Sequence, residues 1–281
     1  MFMKSVEKQT TSFFRNNRGK HVFYRIWITH SEPKGLLLII HGLNSHSGYY
    51  QNFASELSEN GFGVYAMDLQ GSGRSDGERY YISDYEDIVT DIDFLFDIAR
   101  ARHSKVPIFL FGHSAGGVFA SVYAVDYQPK LNGLISASFA FQIPAPGFAL
   151  AIMKLLGYII PHARLIRLNN ADFSRDESFV NAMNNDPLLA DEKQPAKTMQ
   201  QLLLAAAYLE KEMPEIEIPL LILHGSADKA TKPAGSKYFM EHASSTDKQF
   251  KLYEGYYHDL LNDKYSRIIV KDIMRWLIER V

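Results

Sequence analysis

The 281-residue chain contains no cysteine, which excludes a catalytic thiol, a thiolate-ligated zinc site, a disulfide-stapled fold and thiol redox sensing. Its 30 Lys and Arg are interspersed with 32 Asp and Glu. No long run of one sign results, so the electrostatic footprint of a nucleic-acid binder is missing. No apolar stretch reaches the ~20 residues of a spanning helix, and the most apolar window, Gly147 to Ile160, is interrupted by Lys154. Glycosylation sequons, internal repeats, low-complexity tracts and a phosphate-binding P-loop are absent as well. In MFMKSVEKQT the lysine is followed by no apolar segment, so no secretory leader is expected and the expected location is cytoplasmic. What remains is a globular chain, one large domain or two ordinary ones, with 46% hydrophobic residues and a net charge of -2. Such a chain can bury a substantial core and handle small, neutral or amphipathic partners.

The pattern of apolar runs sets the fold class. Thr10 to Arg15 and Val22 to Thr29, separated by the turn-like Asn16 to Gly19, predict an opening hairpin. Beyond Pro33 the grammar changes to continuous apolar runs, Leu36 to Ile40, Gly63 to Met67, Ile108 to Phe111, Leu134 to Ala137 and Leu220 to Leu223. Runs of that kind suit strands buried on both faces of a parallel sheet. Helical segments alternate with them. One spans about Ser47 to Asn60 and stops at Gly61; another opens on a Ser83/Glu86 capping box; a third runs from Ala115 to Gln128, and the last from Tyr265 to Arg280. Strand and helix in repetition predict an α/β chain with a mostly parallel, doubly wound sheet.

Between Leu134 to Ala137 and Leu220 the chain is far longer than a parallel crossover requires, and prolines 144, 146, 161, 187, 195, 214 and 219 fall there. A helical cap is therefore expected at 141–214, inserted between the sixth and seventh strands of a core formed by 1–140 and 215–281. Within it Phe148, Ile152, Leu155, Leu156 and Ile159 share one helical face, and a second helix is predicted from Ala196 to Lys211. The cap would sit over the C-terminal edge of the sheet, where open α/β folds place their ligand.

At that edge the sequence Phe109 to Gly117, FLFGHSAGG, runs an apolar strand into G-x-S-x-G. Glycines on both sides of Ser114 permit the sharp strand-to-helix turn that lifts its hydroxyl clear of the sheet. A serine hydroxyl is a poor nucleophile at neutral pH and needs a base, which in turn needs an orienting carboxylate. Asp228 and His258 follow the strands Leu220 to Leu223 and Phe250 to Tyr253, on the same edge as Ser114. They are the candidate acid and base. The backbone N–H groups of Ala115 and of Leu43, in the loop His41-Gly42-Leu43-Asn44, are the candidate donors to an oxyanion.

Other polar residues fit these roles less well. His113 and Asp259 adjoin the candidate nucleophile and base and would face elsewhere. Asp68, in AMDLQGSGRSDG, is the reserve acid, although holding the Gly71 and Gly73 turn is its commoner role. His41 and His46 offer two metal ligands in one loop with no matching cluster, so no metal site is expected.

Taken together, HGLNSHSGYY (41–50), MDLQGSGRSDGERYYISDYEDIVTDI (67–92), GHSAGG (112–117), LHGSADK (223–229) and YEGYYHDLLND (253–263) resemble the monoacylglycerol lipase and lysophospholipase branch of the α/β-hydrolases, over about residues 20–280. The resemblance implies a serine carboxylester hydrolase with a Ser114, Asp228, His258 triad. Leu43 and Ala115 would form the oxyanion hole, and the cap an apolar tunnel for an acyl chain. Ala115 stands where the family commonly has Met, and the pocket cysteines of mammalian members are missing. The expected substrate is a single-chain lipid ester, a monoacylglycerol first, cleaved to fatty acid and glycerol without a cofactor. A lysophospholipase or short-chain esterase is the nearest alternative; an aminopeptidase or a hydrolase-fold protein that only binds is more distant. The apolar face of the cap, with Lys154, His162, Arg164 and Arg167 near it, would either rest on a membrane surface or pack on its own domain.

Overall fold

A computed structural model describes residues 8–28, 32–189 and 193–281. Residues 1–7 of the segment read for a leader, Thr29 at the end of its expected strand and residues 190–192 of the expected cap lie outside the described residues. Strands β1 (Lys8–Arg15) and β2 (His21–Ile28) form the antiparallel hairpin. Its turn is held by the Asn16 side chain, which accepts the N–H groups of Arg18 and Lys20 at 3.1 and 3.0 Å.

Then come β3 (Gly35–Ile40), α1 (Gln51–Glu59), β4 (Phe62–Met67), α2 (Tyr85–Arg102), β5 (Ile108–His113), α3 (Ala115–Tyr127) and β6 (Gly133–Ala137). The chain next departs through α4 (Gly147–Ile159), β7 (Arg164–Ile166), α5 (Glu177–Asn184), β8 (Gln194–Pro195) and α6 (Ala196–Glu212). It returns as β9 (Leu220–Gly225), α7 (Pro233–His242), β10 (Lys248–Tyr253) and α8 (Arg267–Ile278). The eight-stranded sheet has the order β1-β2-β4-β3-β5-β6-β9-β10. Only the β1–β2 and β2–β4 pairings are antiparallel. The long departure falls between the sixth and seventh strands of this sheet.

Two cores explain why the central strands read as unbroken apolar runs. Along β3, Leu36, Leu38 and Ile40 belong to the core that takes in buried residues of α2, α3 and α6, whereas Leu37 and Ile39 belong to the core that takes in those of α1 and α8. Successive side chains point to opposite faces, and here both faces are covered by helices.

Three local expectations are corrected. The helix expected from Ser47 begins with a 3₁₀ turn, Ser47–Tyr50, before α1. The α2 cap is Asp84 rather than Ser83: Asp84 has extended backbone and accepts the Glu86 N–H at 3.1 Å, while the Ser83 hydroxyl donates to Asp87 at 3.2 Å. An ionised carboxylate is the stronger acceptor at a helix N-terminus, so the helix starts one residue later. The apolar face of α4 does not pack on its own domain. Phe148, Ile152, Leu155 and Ile159 are each more than half exposed, and only Leu156 of the expected face is partly covered. The inward side of α4 instead seats buried Gly157 against Gln200 of α6, whose Nε2 donates to the Lys154 carbonyl at 2.7 Å.

Candidate active site

Ser114 sits between β5 and α3 with φ +57°, a left-handed conformation strained for a side-chain-bearing residue. Four backbone bonds hold it there: Ser114 N–H to Ala137 O at 2.9 Å, and the Gly117, Val118 and Ala140 N–H groups to Ser114 O at 3.0, 3.4 and 3.3 Å. The neighbouring glycines serve through space, not through φ. A Cβ on Gly116 would lie 2.2 Å from the Ile40 carbonyl, and one on Gly42 would lie 2.7 Å from Ser114 Cβ. The loop carrying Leu43 thus passes directly over the serine. Neither the Leu43 nor the Ala115 N–H has a hydrogen-bond partner among the described residues, which leaves both amides free to receive a ligand oxygen.

Asp228 and His258 meet across the ends of β9 and β10. His258 Nδ1 lies 2.8 Å from Asp228 Oδ2, and both side chains are fully buried. A carboxylate has no hydrogen to give, so Nδ1 carries the proton and Nε2 is left as the acceptor. Asp228 Oδ1 accepts the Ala230 and Thr231 N–H groups at 2.8 and 2.9 Å, and Oδ2 also accepts the Thr231 hydroxyl at 2.8 Å. Burial opposes its charge, yet His258 and His224 outweigh burial and hold its carboxyl well below the usual carboxylate range. Asp228 is therefore ionised throughout the range in which an imidazole titrates.

Ser114 and His258 line one small cavity of ≈ 50 Å³ beneath α6, with no hydrogen bond between Ser114 Oγ and the imidazole. Catalytic hydrogen bonds are commonly loose without substrate. The other lining side chains, Leu43, Ile143, Leu168, Phe173, Met199 and Leu202 among them, are apolar apart from Thr231, and none is acidic. Phe173, from the segment between β7 and α5, meets the His258 ring edge-on with centroids 5.1 Å apart.

The remaining expected residues fall outside the cavity. Asp68 is buried and caps two turns, accepting the Ser47 N–H at 2.7 Å and the Arg74 N–H at 2.8 Å. His41 Nε2 accepts the Leu69 N–H at 2.9 Å, and burial pushes its pKa down to about 4. Asp259 accepts the Asn262 backbone and side chain. His46 reaches across the chain: its Nδ1 accepts the Gly48 N–H at 3.0 Å, so Nε2 carries the hydrogen donated to Asp186 at 2.9 Å. Tyr49 OH donates to the same carboxylate oxygen at 2.9 Å, and Asn44 Nδ2 to Asn170 at 2.6 Å. The loop carrying Leu43 is thereby tied to the segments on either side of α5.

Sequence reasoning missed the supports of His258. Its carbonyl receives the Ser138 hydroxyl at 2.5 Å and His113 Nε2 at 3.2 Å. Burial holds the His113 pKa down to about 4, so this donor is a neutral imidazole. His113 lies inside the elbow motif but 145 positions from its partner, and no local pattern signals such a contact.

Strained serine, strand order and the crossing of three strand ends at one rim define an α/β-hydrolase. The chain belongs to that superfamily's serine aminopeptidase, S33 family, whose sequence profile matches residues 31–265, and within it to the monoglyceride lipase branch. It is 32% identical to monoglyceride lipase of Mus musculus over 99% of this chain and 93% of that protein. The crystal structure of Paleococcus ferrophilus monoacylglycerol lipase matches with TM-score 0.81 and 30% identity, over 98% of this chain and all of that one. A soluble variant of monoglyceride lipase from Saccharomyces cerevisiae, solved with a substrate analog, shares the fold at TM-score 0.87, with 21% identity over 100% of this chain and 97% of that one.

Proposed function

We propose that this serine hydrolase cleaves monoacylglycerols, with Ser114 as nucleophile, His258 as base and Asp228 as its orienting acid. His258 Nε2 takes the Ser114 proton as Oγ attacks the ester carbonyl. The Leu43 and Ala115 amides receive the oxyanion, a contribution of about 3 kcal/mol per donor. His258 then gives its proton to the departing glycerol oxygen, leaving an acyl-serine. Water, deprotonated by the same imidazole, releases the fatty acid, and Asp228 stabilises each imidazolium that forms.

The observation that carries this reading is the lining of the cavity. An aminopeptidase needs an acidic group to receive the substrate's ammonium, and among the described residues the side chains lining the cavity with Ser114 supply none; apolar walls suit an acyl chain. A space of ≈ 50 Å³ holds a few waters and no long chain, so a long acyl chain needs room beyond this cavity. Residues 141–214 are the proposed cap and 1–140 with 215–281 the core.

No helix among the described residues is long and apolar enough to cross a membrane. The exposed face of α4 supports peripheral contact with a cytoplasmic membrane surface, made through apolar insertion more than through charge. His162 and Arg164 are already paired with Glu78 at 2.7 and 3.3 Å. Comparing turnover of monoacylglycerols, lysophospholipids, p-nitrophenyl esters of increasing chain length and aminoacyl-anilides tests the substrate. Preference for long-chain monoacylglycerols is expected; a flat or inverted preference favouring two-carbon esters contradicts it.

A further inference from the structure

Asp228 holds a second imidazole that the proposed mechanism does not use. His224, at the end of β9, is fully buried, with Nε2 3.1 Å from Asp228 Oδ2 and 3.3 Å from Thr231 Oγ1. Its other nitrogen, Nδ1, is 2.7 Å from the hydroxyl of Ser236, a buried residue of α7. Asp228 is ionised and can only accept, so His224 Nε2 carries a hydrogen shared between Oδ2 and Thr231 Oγ1, and Nδ1 accepts the Ser236 hydroxyl. The line from Ser236 through His224 and Thr231 to Asp228 ties the acid to α7, and Thr231 Oγ1 also lies 3.4 Å from His258 Nδ1.

Resting on the proposed triad, we propose that His224 is a positioning residue for Asp228, holding the carboxylate in place and taking up part of its charge so that less is concentrated on His258. Oδ2 is the oxygen that faces His258 Nδ1. Each added donor there draws negative charge from the contact with His258, so removal of His224 strengthens the hold on the imidazolium and raises the pH at which the base loses its proton. The other titratable groups around the pair are His113 from β5, Asp259 beside His258, and Lys229, which lies over the Tyr257 ring and 3.8 Å from Asp172. None of them makes a hydrogen bond or ion pair with His224.

The test is the pH dependence of kcat/KM on a soluble p-nitrophenyl ester for wild type, His224→Met and His224→Gln, with Ser114 labelling by a fluorophosphonate measured alongside. Met fills the site without a donor and is expected to move the acid limb upward by about half a unit to one unit. It also lowers kcat, by about tenfold as the triad loses alignment, with KM nearly unchanged. Gln restores an N–H donor and is expected to return both towards wild type. A folded Met variant with an unmoved acid limb, or a Gln variant displaced as far as Met, overturns the assignment. Should His224→Met not fold, Ser236→Ala takes its place: a smaller upward shift is expected, and no shift overturns the assignment. A wild type unlabelled at Ser114 sinks the triad and this assignment with it. A labelled wild type with invariant profiles sinks the role of His224 alone.

Discussion

Gly42→Ala probes the oxyanion hole without replacing a side chain that does chemistry. The new Cβ would stand 2.7 Å from Ser114 Cβ, 3.0 Å from the His113 carbonyl and 3.3 Å from Ser114 Oγ. Ordinary contact begins near 3.4 Å, so loop and serine must separate by about 0.7 Å. His113 and Ser114 are fixed by β5 and α3, so the loop is the part that yields, and the Leu43 amide travels with it. An oxyanion donor works at about 2.7–3.1 Å, and a retreat of that size takes it beyond useful hydrogen-bonding distance. Losing one such donor costs on the order of 10²–10³ in kcat, about 3–4 kcal/mol. Gly42 is outside the left-handed region, so alanine adds no backbone strain of its own. Steady-state kinetics on p-nitrophenyl butyrate, with a melting curve for each protein, reads the result. The expected outcome is a kcat lowered about 10²- to 10³-fold, KM changed far less, and a cooperative melt retained. A kcat within about threefold of wild type refutes the assignment of the Leu43 amide.

Asp228→Asn should lower kcat on the order of 10⁴-fold while leaving the fold intact, because the amide no longer fixes the His258 tautomer; circular dichroism with single-turnover kinetics checks both halves. Asp91 is buried, accepts Gln70 and Asn16 at 3.0 and 3.3 Å, and burial pushes its pKa up to about 6 from 3.8. A raised carboxyl contributes stability only below its unfolded pKa and loses it between pH 3.8 and about 6. Asp91→Asn should therefore stabilise by up to ~3 kcal/mol at pH 8 and by little at pH 4; melting curves showing equal gains at both pH values contradict this. Replacing Phe148 and Leu155 by Ser should weaken flotation with neutral phosphatidylcholine vesicles and leave turnover of a water-soluble ester unchanged, and undiminished flotation counts against contact through α4. Asp186→Ala removes the acceptor shared by His46 and Tyr49. Amide hydrogen exchange over 169–189 should accelerate, at a cost of about 1–3 kcal/mol, and unchanged protection there shows that the tie is idle.

The sheet was legible because a strand covered on both faces has no polar positions to spare. Leu36 to Ile40 and Leu220 to Leu223 stand out for that reason. The elbow was legible because the close approach of Gly116 to the Ile40 carbonyl leaves room for no Cβ. Asp228 and His258 were found through their positions just past strand ends and their order after Ser114. What stayed hidden depends on contacts between distant segments. The periodicity of α4 identifies an apolar stripe but not the side it presents, and the stripe faces outward. His46 meets Asp186 140 positions away, and His113 meets His258 across 145. His224 lies only four positions from Asp228, yet an apolar strand flanks it and Ser236 joins it only after β9 and α7 pack together.

The most direct measurement is mass spectrometry of the intact protein after incubation with a long-chain fluorophosphonate, followed by peptide mapping, with and without competing monoacylglycerol. One adduct per chain on Ser114, slowed by the monoacylglycerol and absent from Ser114→Ala, is the predicted result. No adduct, an adduct on another residue, or labelling indifferent to monoacylglycerol would contradict a serine lipase acting through Ser114.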